Sequence, residues 1–181
     1  MIAFCSACGH ATHRTVPAGD SRLRDVCTNP ACGLVHYENP KIVAGTLPVW
    51  QGKILLCKRA IEPRLGYWTL PAGFMELNET CEQGAVRETW EEAAAKVQVR
   101  SLLSVLDVPH TSQVHLFYLA DLIDGQFAAG TESLEVALFT PEDIPWDEIA
   151  FKTVSQTLRH YLSNTENPSQ LTGVITYSPK T

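Results

Sequence analysis

The sequence lacks a long apolar run, a secretory leader pattern and an excess of positive charge. No apolar stretch approaches the roughly 18 residues needed to span a bilayer, which argues against a membrane protein. The first residues show no basic segment followed by an apolar core, so we expect a cytoplasmic protein. With 14 Lys and Arg against 20 Asp and Glu, the formal net charge of −6 argues against broad electrostatic binding of nucleic acid.

Four of the six cysteines are grouped. They form the pattern Cys5-x2-Cys8 and, eighteen residues on, Cys27-x4-Cys32. Two pairs at this separation predict a structural zinc site with four thiolate ligands. Two disulfides in a secreted protein are the alternative, which the missing leader disfavours.

The two remaining cysteines and three nearby histidines are weaker indicators of a metal site. Cys57 lies in an apolar strand pattern and Cys81 in the first turn of a predicted helix, so we interpret both as packing residues. His10, His13 and His36 remain possible zinc ligands if one thiol is displaced.

The hydrophobic content of 45% in 181 residues suits one moderate domain with a small appendage. Pro40 marks a boundary, since proline restricts the preceding residue to extended geometry. We expect a zinc module over 1–40, a larger domain over 41–163 and a loosely ordered tail over 164–181.

Branched and aromatic runs predict strands, and residues 150–162 predict a closing helix. Strands alternating with helices indicate an α/β class. The predicted strands are Ile42–Trp50, Lys53–Arg59, Val97–Val108, Gln113–Ile123 and Leu134–Thr140. The first two are joined at Gln51-Gly52, a pattern typical of a hairpin turn.

Residues 73–95 carry the most specific chemistry. Thr80 and Gln83 form a capping box that predicts a helix running to about Ala95. On that helix three glutamates share one face at spacings i, i+3 and i+4, namely Glu88, Glu91 and Glu92. Their mutual repulsion would be offset by a hard divalent cation such as Mg²⁺, which prefers carboxylate oxygens. The alternative is a solvated acidic helix face.

The same stretch resembles the Nudix box, G-x5-E-x7-R-E-x2-E-E. The matching residues are Gly73, Glu79, Arg87, Glu88, Glu91 and Glu92. The resemblance implies a Nudix-type α/β/α sandwich with a mixed sheet, and hydrolysis of a nucleoside diphosphate linked to another group. Three positions depart from the family pattern: Thr89 replaces an aliphatic residue, and Ala94 and Ala95 replace Gly and a bulky aliphatic residue.

The rest of the chain resembles Nudix enzymes with an N-terminal zinc ribbon. Stretches such as Leu55-Leu-Cys-Lys-Arg and Glu132-Ser-Leu-Glu are similar to FAD and ADP-ribose pyrophosphatases. The run that marks NADH pyrophosphatases is absent. An NADH pyrophosphatase, a sanitiser of oxidised nucleoside triphosphates and a nucleic-acid-binding ribbon on an inactive scaffold remain alternatives.

The resemblance also implies roles for individual residues. Gly73, Glu88, Glu91 and Glu92 would bind Mg²⁺ or Mn²⁺, with Arg87 orienting the glutamates. The proton acceptor would be Glu92, Glu132 or Glu135, the latter two in the loop before a late strand. Trp68, Phe74 and His110 are candidates for contacting a small nucleotide substrate, and a homodimer is compatible with the resemblance.

Overall fold

The computed structural model of the protein describes residues 1–164 and divides the chain into two compact units. One unit spans Met1–Asn39, and the other begins at Pro40. Of the tail predicted for 164–181, all but the first residue lies outside the described residues. Within residues 1–164, no helix is both long and apolar enough to cross a membrane.

The first unit is a three-stranded antiparallel sheet in the order β1-β2-β3. Its strands are β1 (Thr12–Thr15), β2 (Arg24–Cys27) and β3 (Val35–His36). Tight turns precede β1 and follow β2: the Gly9 N–H donates to the Cys5 carbonyl, and the Gly33 N–H donates to the Asn29 carbonyl, both at 2.9 Å. These turns place the four sulfur atoms at one end of the sheet.

The second unit is a mixed sheet with two long helices, which confirms the predicted α/β class. The main strand order is β10-β5-β4-β9-β8; the short strand β6 pairs with β5, and β7 pairs with β4. The pairing of β4 with β9 is parallel, and the other pairings are antiparallel. Its elements are β4 (Lys41–Trp50), β5 (Lys53–Arg59), β6 (Trp68–Thr69), β7 (Ala72–Phe74), α1 (Cys81–Ala93), β8 (Val97–Val108), β9 (Gln113–Leu122), β10 (Ser133–Phe139) and α2 (Lys152–Asn164).

The hairpin between β4 and β5 has the two-residue turn expected from Gln51-Gly52. Both residues have positive φ, at 48° and 78°, and Trp50 pairs directly with Lys53. Positive φ at both central positions is the geometry whose twist matches that of the flanking strands, which is why glycine is favoured there.

The sheet buries a hydrophobic cluster on each face. Along β5 the side chains alternate, so Ile54 and Leu56 belong to one cluster while Leu55 and Cys57 belong to the other. Helix α2 contributes to the first cluster through Val154 and Leu158. Helix α1 contributes to the second through Ala93. The arrangement is therefore the expected α/β/α sandwich.

Helix α1 begins as the sequence predicts and ends in an unexpected conformation. The Thr80 side chain accepts from the Gln83 N–H, and the Gln83 side chain accepts from the Thr80 N–H, so the capping box is confirmed. The helix ends at Ala93, because Ala94 adopts the left-handed conformation with φ 46°. Glycine meets this geometry without a steric penalty, so Ala94 carries strain that the family pattern avoids.

Helix α1 is joined to β4 by a buried pair of hydroxyl groups. The Oγ1 atoms of Thr46 and Thr89 lie 2.6 Å apart, and both side chains are fully buried. The Thr89 hydroxyl donates to the Ala85 carbonyl at 2.7 Å, so the Thr46 hydroxyl must donate to Thr89. A polar residue therefore replaces the aliphatic residue of the family pattern without an unsatisfied group.

Because the Thr46 hydroxyl donates to Thr89, two isosteric substitutions should lower the free energy of unfolding by different amounts. Thr89→Val leaves the buried Thr46 hydroxyl without a partner and should lower the free energy of unfolding by about 1–3 kcal/mol. Thr46→Val leaves the Thr89–Ala85 bond intact and should cost less, and the double variant should recover most of the loss. Urea unfolding of the four proteins measures this. Equal and additive costs would contradict the pairing.

Candidate active site

The guanidinium group of Arg87 connects the carboxylate residues of α1 to the segment before it. It donates to both carboxylate oxygens of Glu79, at 3.0 and 2.8 Å, and to the Phe74 carbonyl at 3.1 Å. On the helix it donates to Glu88 at 2.7 Å and to Glu91 at 3.1 Å. A planar group with five donors is suited to such a network, which a lysine would not reproduce.

Glu79 is fixed by the loop as well as by Arg87. Its Oε1 atom accepts from the Glu76 N–H at 2.6 Å. The hydrogen bonds from Arg87 and from this N–H lower the pKa of Glu79 to about 2. A Cβ atom on Gly84 would come within 2.7 Å of the same carboxylate oxygen, so the absence of a side chain there gives Glu79 its space.

Glu88 lies directly against the short strand β7. A Cβ atom on Gly73 would overlap the Glu88 carboxylate, so glycine is the residue that permits this approach. Gly73 also pairs with Ala44 of β4, which holds the strand in place. Burial raises the pKa of Glu88 although the neighbouring Arg87 opposes the shift. The structure thus brings Gly73 and Glu88 together, as the box pattern implies.

Glu92 is the most buried carboxylate of the helix face, with 7% of its surface exposed. Its Oε2 atom accepts from the Ala72 N–H at 3.3 Å. Burial raises the pKa of Glu92 to about 8, the charge of Glu88 adds to the shift, and the charge of Arg59 opposes it. Arg59 was not identified from the sequence as a site residue; its place in the Leu55–Arg59 stretch of the resemblance is the signal that could have found it.

The three glutamates share a helix face but do not converge on one point. Among residues 1–164, only the cysteines bring three or more ligand atoms within 4.8 Å of one another. Arg87 holds Glu88 and Glu91, while the Ala72 N–H holds Glu92. The donor set, hard oxygen atoms with incomplete charge compensation, fits a divalent cation such as Mg²⁺.

The two late glutamates have different positions. Glu132 lies in the turn before β10, and its charge contributes to the raised pKa of both Glu88 and Glu92. Glu135, which we placed in that loop, instead lies within β10 opposite Lys58. The strand begins at Ser133, one residue earlier than predicted, with an irregularity between Ser133 and Glu135. Glu132 therefore lies in the loop as predicted, whereas Glu135 belongs to the sheet.

The three candidate substrate residues are also placed differently. Trp68 is buried and packs edge-to-face on Phe139, with ring centroids 4.8 Å apart. Phe74 is half-exposed, and the Lys41 ammonium group lies 5.1 Å from its ring centroid. His110 is exposed on the short 3₁₀ helix that follows β8. Phe74 is the one nearest the site along the chain, since it follows Gly73 and its carbonyl binds Arg87.

The four cysteines of the first unit form a compact sulfur cluster. All four Sγ atoms lie within 4.8 Å of one another, with 3.8 Å between Cys5 and Cys32 and 3.4 Å between Cys8 and Cys27. None is in a disulfide. Four sulfurs about 2.3 Å from a tetrahedral zinc ion lie about 3.8 Å apart, so the cluster fits zinc.

The surroundings of the cluster lower the pKa of two of its thiols, Cys8 and Cys5. Hydrogen bonding from the His10 backbone, with a further contribution from Cys27, lowers the pKa of Cys8 to about 6. The His10 ring lies 3.3 Å from the Cys8 carbonyl oxygen, and the His36 side chain helps to lower the pKa of Cys5. Of the histidines considered as substitute ligands, these two therefore lie beside the cluster.

Both units match known family models. Residues 40–161 match the NUDIX domain, and residues 3–38 match the Nudix N-terminal zinc ribbon. Together the two matches leave only short segments of the described chain unassigned.

Curated relatives include an ADP-ribose pyrophosphatase, a MutT-like protein and several proteins named NAD-capped RNA hydrolase NudC. An ADP-ribose pyrophosphatase of Methanocaldococcus jannaschii is 33% identical over 113 residues, covering 60% of this chain and 67% of the relative. An NAD-capped RNA hydrolase NudC of Erwinia tasmaniensis is 28% identical over 133 residues, covering 72% of this chain. The chain spans about half the length of that NudC relative, 48%.

Solved structures agree with the fold. A NUDIX hydrolase from Nitrosomonas europaea superposes with a TM-score of 0.89 at 47% identity, covering 97% of this chain and all of that one. An ADP-ribose pyrophosphatase from Streptococcus suis has a TM-score of 0.64 at 22% identity over 77% of this chain, a likeness of fold alone.

Proposed function

The chain belongs to the Nudix hydrolases and is a pyrophosphohydrolase of that family, and we propose that it splits FAD or ADP-ribose into AMP and a second monophosphate. The observation that supports a hydrolase site is the Arg87 network, which holds Glu79, Glu88 and Glu91 together. A solvated acidic face would not need a buried Glu92 or a glycine cleared of its side chain to admit Glu88.

The chemistry follows from what these side chains can hold. A Mg²⁺ ion bound by Glu88, Glu91, Glu92 and the Gly73 carbonyl would neutralise phosphate charge and lower the pKa of the attacking water. Arg87 holds Glu88 and Glu91, and both must turn from Arg87 to bind a cation. The Ala72 N–H already orients Glu92 from the strand side.

Glu132 is our proposed proton acceptor for the attacking water. It lies in a turn, is exposed, and is coupled by charge to Glu88 and Glu92. Glu92 is less suited, since burial and its place in the ligand set commit it to the cation. Glu135 is less suited, since it lies within β10 opposite Lys58 of β5 rather than in the loop.

The assignment to FAD or ADP-ribose is supported by similarity and by one side chain. The Methanocaldococcus relative is named an ADP-ribose pyrophosphatase, and the sequence stretches resemble that branch. Phe74 presents a half-exposed ring next to Gly73, with Lys41 beside it. A ring and a cation together can stack on a base and attract phosphate. Trp68 belongs to the hydrophobic core instead.

A second candidate is hydrolysis of NADH or of an NAD-capped RNA end. Several relatives are named NAD-capped RNA hydrolase NudC, and one of them, from Haemophilus influenzae, matches 87% of this chain at 29% identity. Against this stand the absent NADH run and the net charge of −6. The zinc module has equal numbers of Arg and acidic residues through residue 40, which gives no basic patch for RNA.

For the zinc module we predict about one zinc ion per chain, bound by Cys5, Cys8, Cys27 and Cys32. Cys8→Ser should lower the zinc content, because a closed tetrahedral site loses affinity with any ligand. Cys81→Ser, outside the cluster, is the matched control and should retain full zinc. Elemental analysis of freshly purified, reduced protein measures both. Unsubstituted protein without zinc would rule the site out.

For the catalytic unit we predict that Glu91→Gln and Glu92→Gln each lower kcat by roughly a hundredfold or more, about 2.7 kcal/mol in the barrier. Each substitution removes a ligand charge and keeps the side-chain shape. Arg87→Lys should also lower kcat, because an ammonium group cannot reproduce the network of donors.

Glu82→Gln is the control for these variants. Glu82 is exposed in the first turn of the same helix and is not part of the site, so its kcat should stay within about twofold. Steady-state kinetics at saturating Mg²⁺ measure all four proteins. Normal turnover by a Glu91→Gln, Glu92→Gln double variant would refute the metal assignment.

The substrate is tested by comparing kcat/KM at one Mg²⁺ concentration for FAD, ADP-ribose, NADH, an NAD-capped RNA oligonucleotide and an oxidised purine triphosphate. We expect FAD or ADP-ribose to lead, with AMP as a product. A lead of about tenfold or more for NADH or capped RNA, roughly 1.4 kcal/mol, supports the second candidate instead. A lead for the triphosphate, with pyrophosphate released, identifies a sanitiser.

A further inference from the structure

The loop between β9 and β10 is attached to the C-terminal end of α1. The Ala128 N–H donates to the Ala93 carbonyl at 2.8 Å, and the Gly130 N–H donates to the Glu92 carbonyl at 3.0 Å. The last carbonyls of a helix have no partner within the helix, so these bonds satisfy two of them. The loop is thereby fixed to the turn that carries Glu91 and Glu92.

Gly130 is required at this contact because of space. A Cβ atom there would overlap the carbonyl oxygen of Glu91. Gly130 does not lie in the left-handed region, so its backbone conformation is open to other residues. Any side chain at this position must therefore push the loop away from the helix end.

The same loop carries Glu132, whose charge acts on Glu88 and Glu92. The Ser133 N–H donates to the Gly130 carbonyl at 3.2 Å, closing a turn around Glu132. The Ala60 N–H donates to the Glu132 carbonyl at 2.8 Å, which fixes the other side of the turn at the end of β5. The backbone of Glu132 is thus held between the helix end and the sheet.

We infer that Gly130 is a positioning residue for hydrolysis: by letting the loop dock on the end of α1, it sets Glu132 beside Glu88 and Glu92. The inference rests on the proposed function, in which Glu132 accepts the proton from water. Docking through Gly130 fixes the distance between that acceptor and the residues proposed to bind the cation. Displacement of the loop should slow the chemical step and leave substrate binding largely unchanged.

A double-mutant cycle on the full-length protein tests this. Glu132→Gln should lower kcat by roughly a hundredfold, the usual contribution of a general base. Gly130→Ala should lower kcat by about tenfold or more, with KM within about twofold. The double variant should be no slower than Glu132→Gln by more than about twofold. Once the Glu132 carboxylate has been removed, displacing the loop cannot remove its contribution to kcat a second time.

Ala129→Ser is the matched control, since it adds one heavy atom at the neighbouring exposed position and should leave kcat unchanged. Ala128→Pro removes the other donor to the helix end and should lower kcat as Gly130→Ala does; it carries the test if Gly130→Ala does not fold. Circular dichroism and thermal melting establish the fold of each variant.

The kinetics of these variants distinguish failure of the Gly130 inference from failure of the proposed role of Glu132 as the base. Normal turnover by Glu132→Gln refutes Glu132 as the base, and the inference falls with it. A slow Glu132→Gln variant together with a normal Gly130→Ala variant overturns the inference alone. Effects of Gly130→Ala and Glu132→Gln that multiply in the double variant also overturn it, because they would show that Gly130 acts independently of Glu132.

Discussion

Like charge on one helix face is the constraint from which the arrangement of the site follows. Three glutamates within two turns of α1 repel one another, and Glu92 is buried where water cannot screen it. Arg87 relieves Glu88 and Glu91 directly, and it is itself held by Glu79 and the Phe74 carbonyl. Burial and the charge of Glu88 raise the pKa of Glu92 to about 8, although the Ala72 N–H and the charge of Arg59 oppose the shift. A cation at this face relieves the same repulsion and leaves phosphate-binding positions open.

The scaffold holds this charged face through contacts that are themselves neutral. The Thr46–Thr89 hydroxyl pair ties α1 to the central strand β4 on the side opposite the solvent. The parallel pairing of β4 with β9 and the antiparallel pairing of β4 with β7 then fix Gly73 relative to the helix. Because Thr89 satisfies its hydroxyl within the helix as well, a polar residue at a core position costs little here.

Local features could be read from the sequence, and contacts between distant segments could not. The capping box of Thr80 and Gln83 and the turn at Gln51-Gly52 depend on neighbouring residues, so their patterns sufficed. Thr46, the partner of Thr89, lies 43 residues away, and no sequence periodicity predicts that the two residues meet. Glu135 was assigned to the loop although it falls inside the predicted strand Leu134–Thr140, and its pairing with Lys58 of β5 shows that the strand prediction was the correct one. Family resemblance supplied the ligand set, which spacing alone left open to a solvated face.

The glycines around α1 are needed mainly because they let other groups approach closely, and less because they permit an unusual backbone conformation. Six of the ten glycines in residues 1–164 have positive φ, as turns require; the other four do not. Three of those four, Gly73, Gly84 and Gly130, leave room for an oxygen-bearing group of α1 or the loop before it. Ala94 shows the reverse, since it adopts a left-handed conformation where glycine would be relaxed. The chain therefore tolerates backbone strain at the end of the helix but keeps glycine wherever carboxylate or carbonyl oxygens need the space, which indicates that close packing around α1 is the stricter requirement.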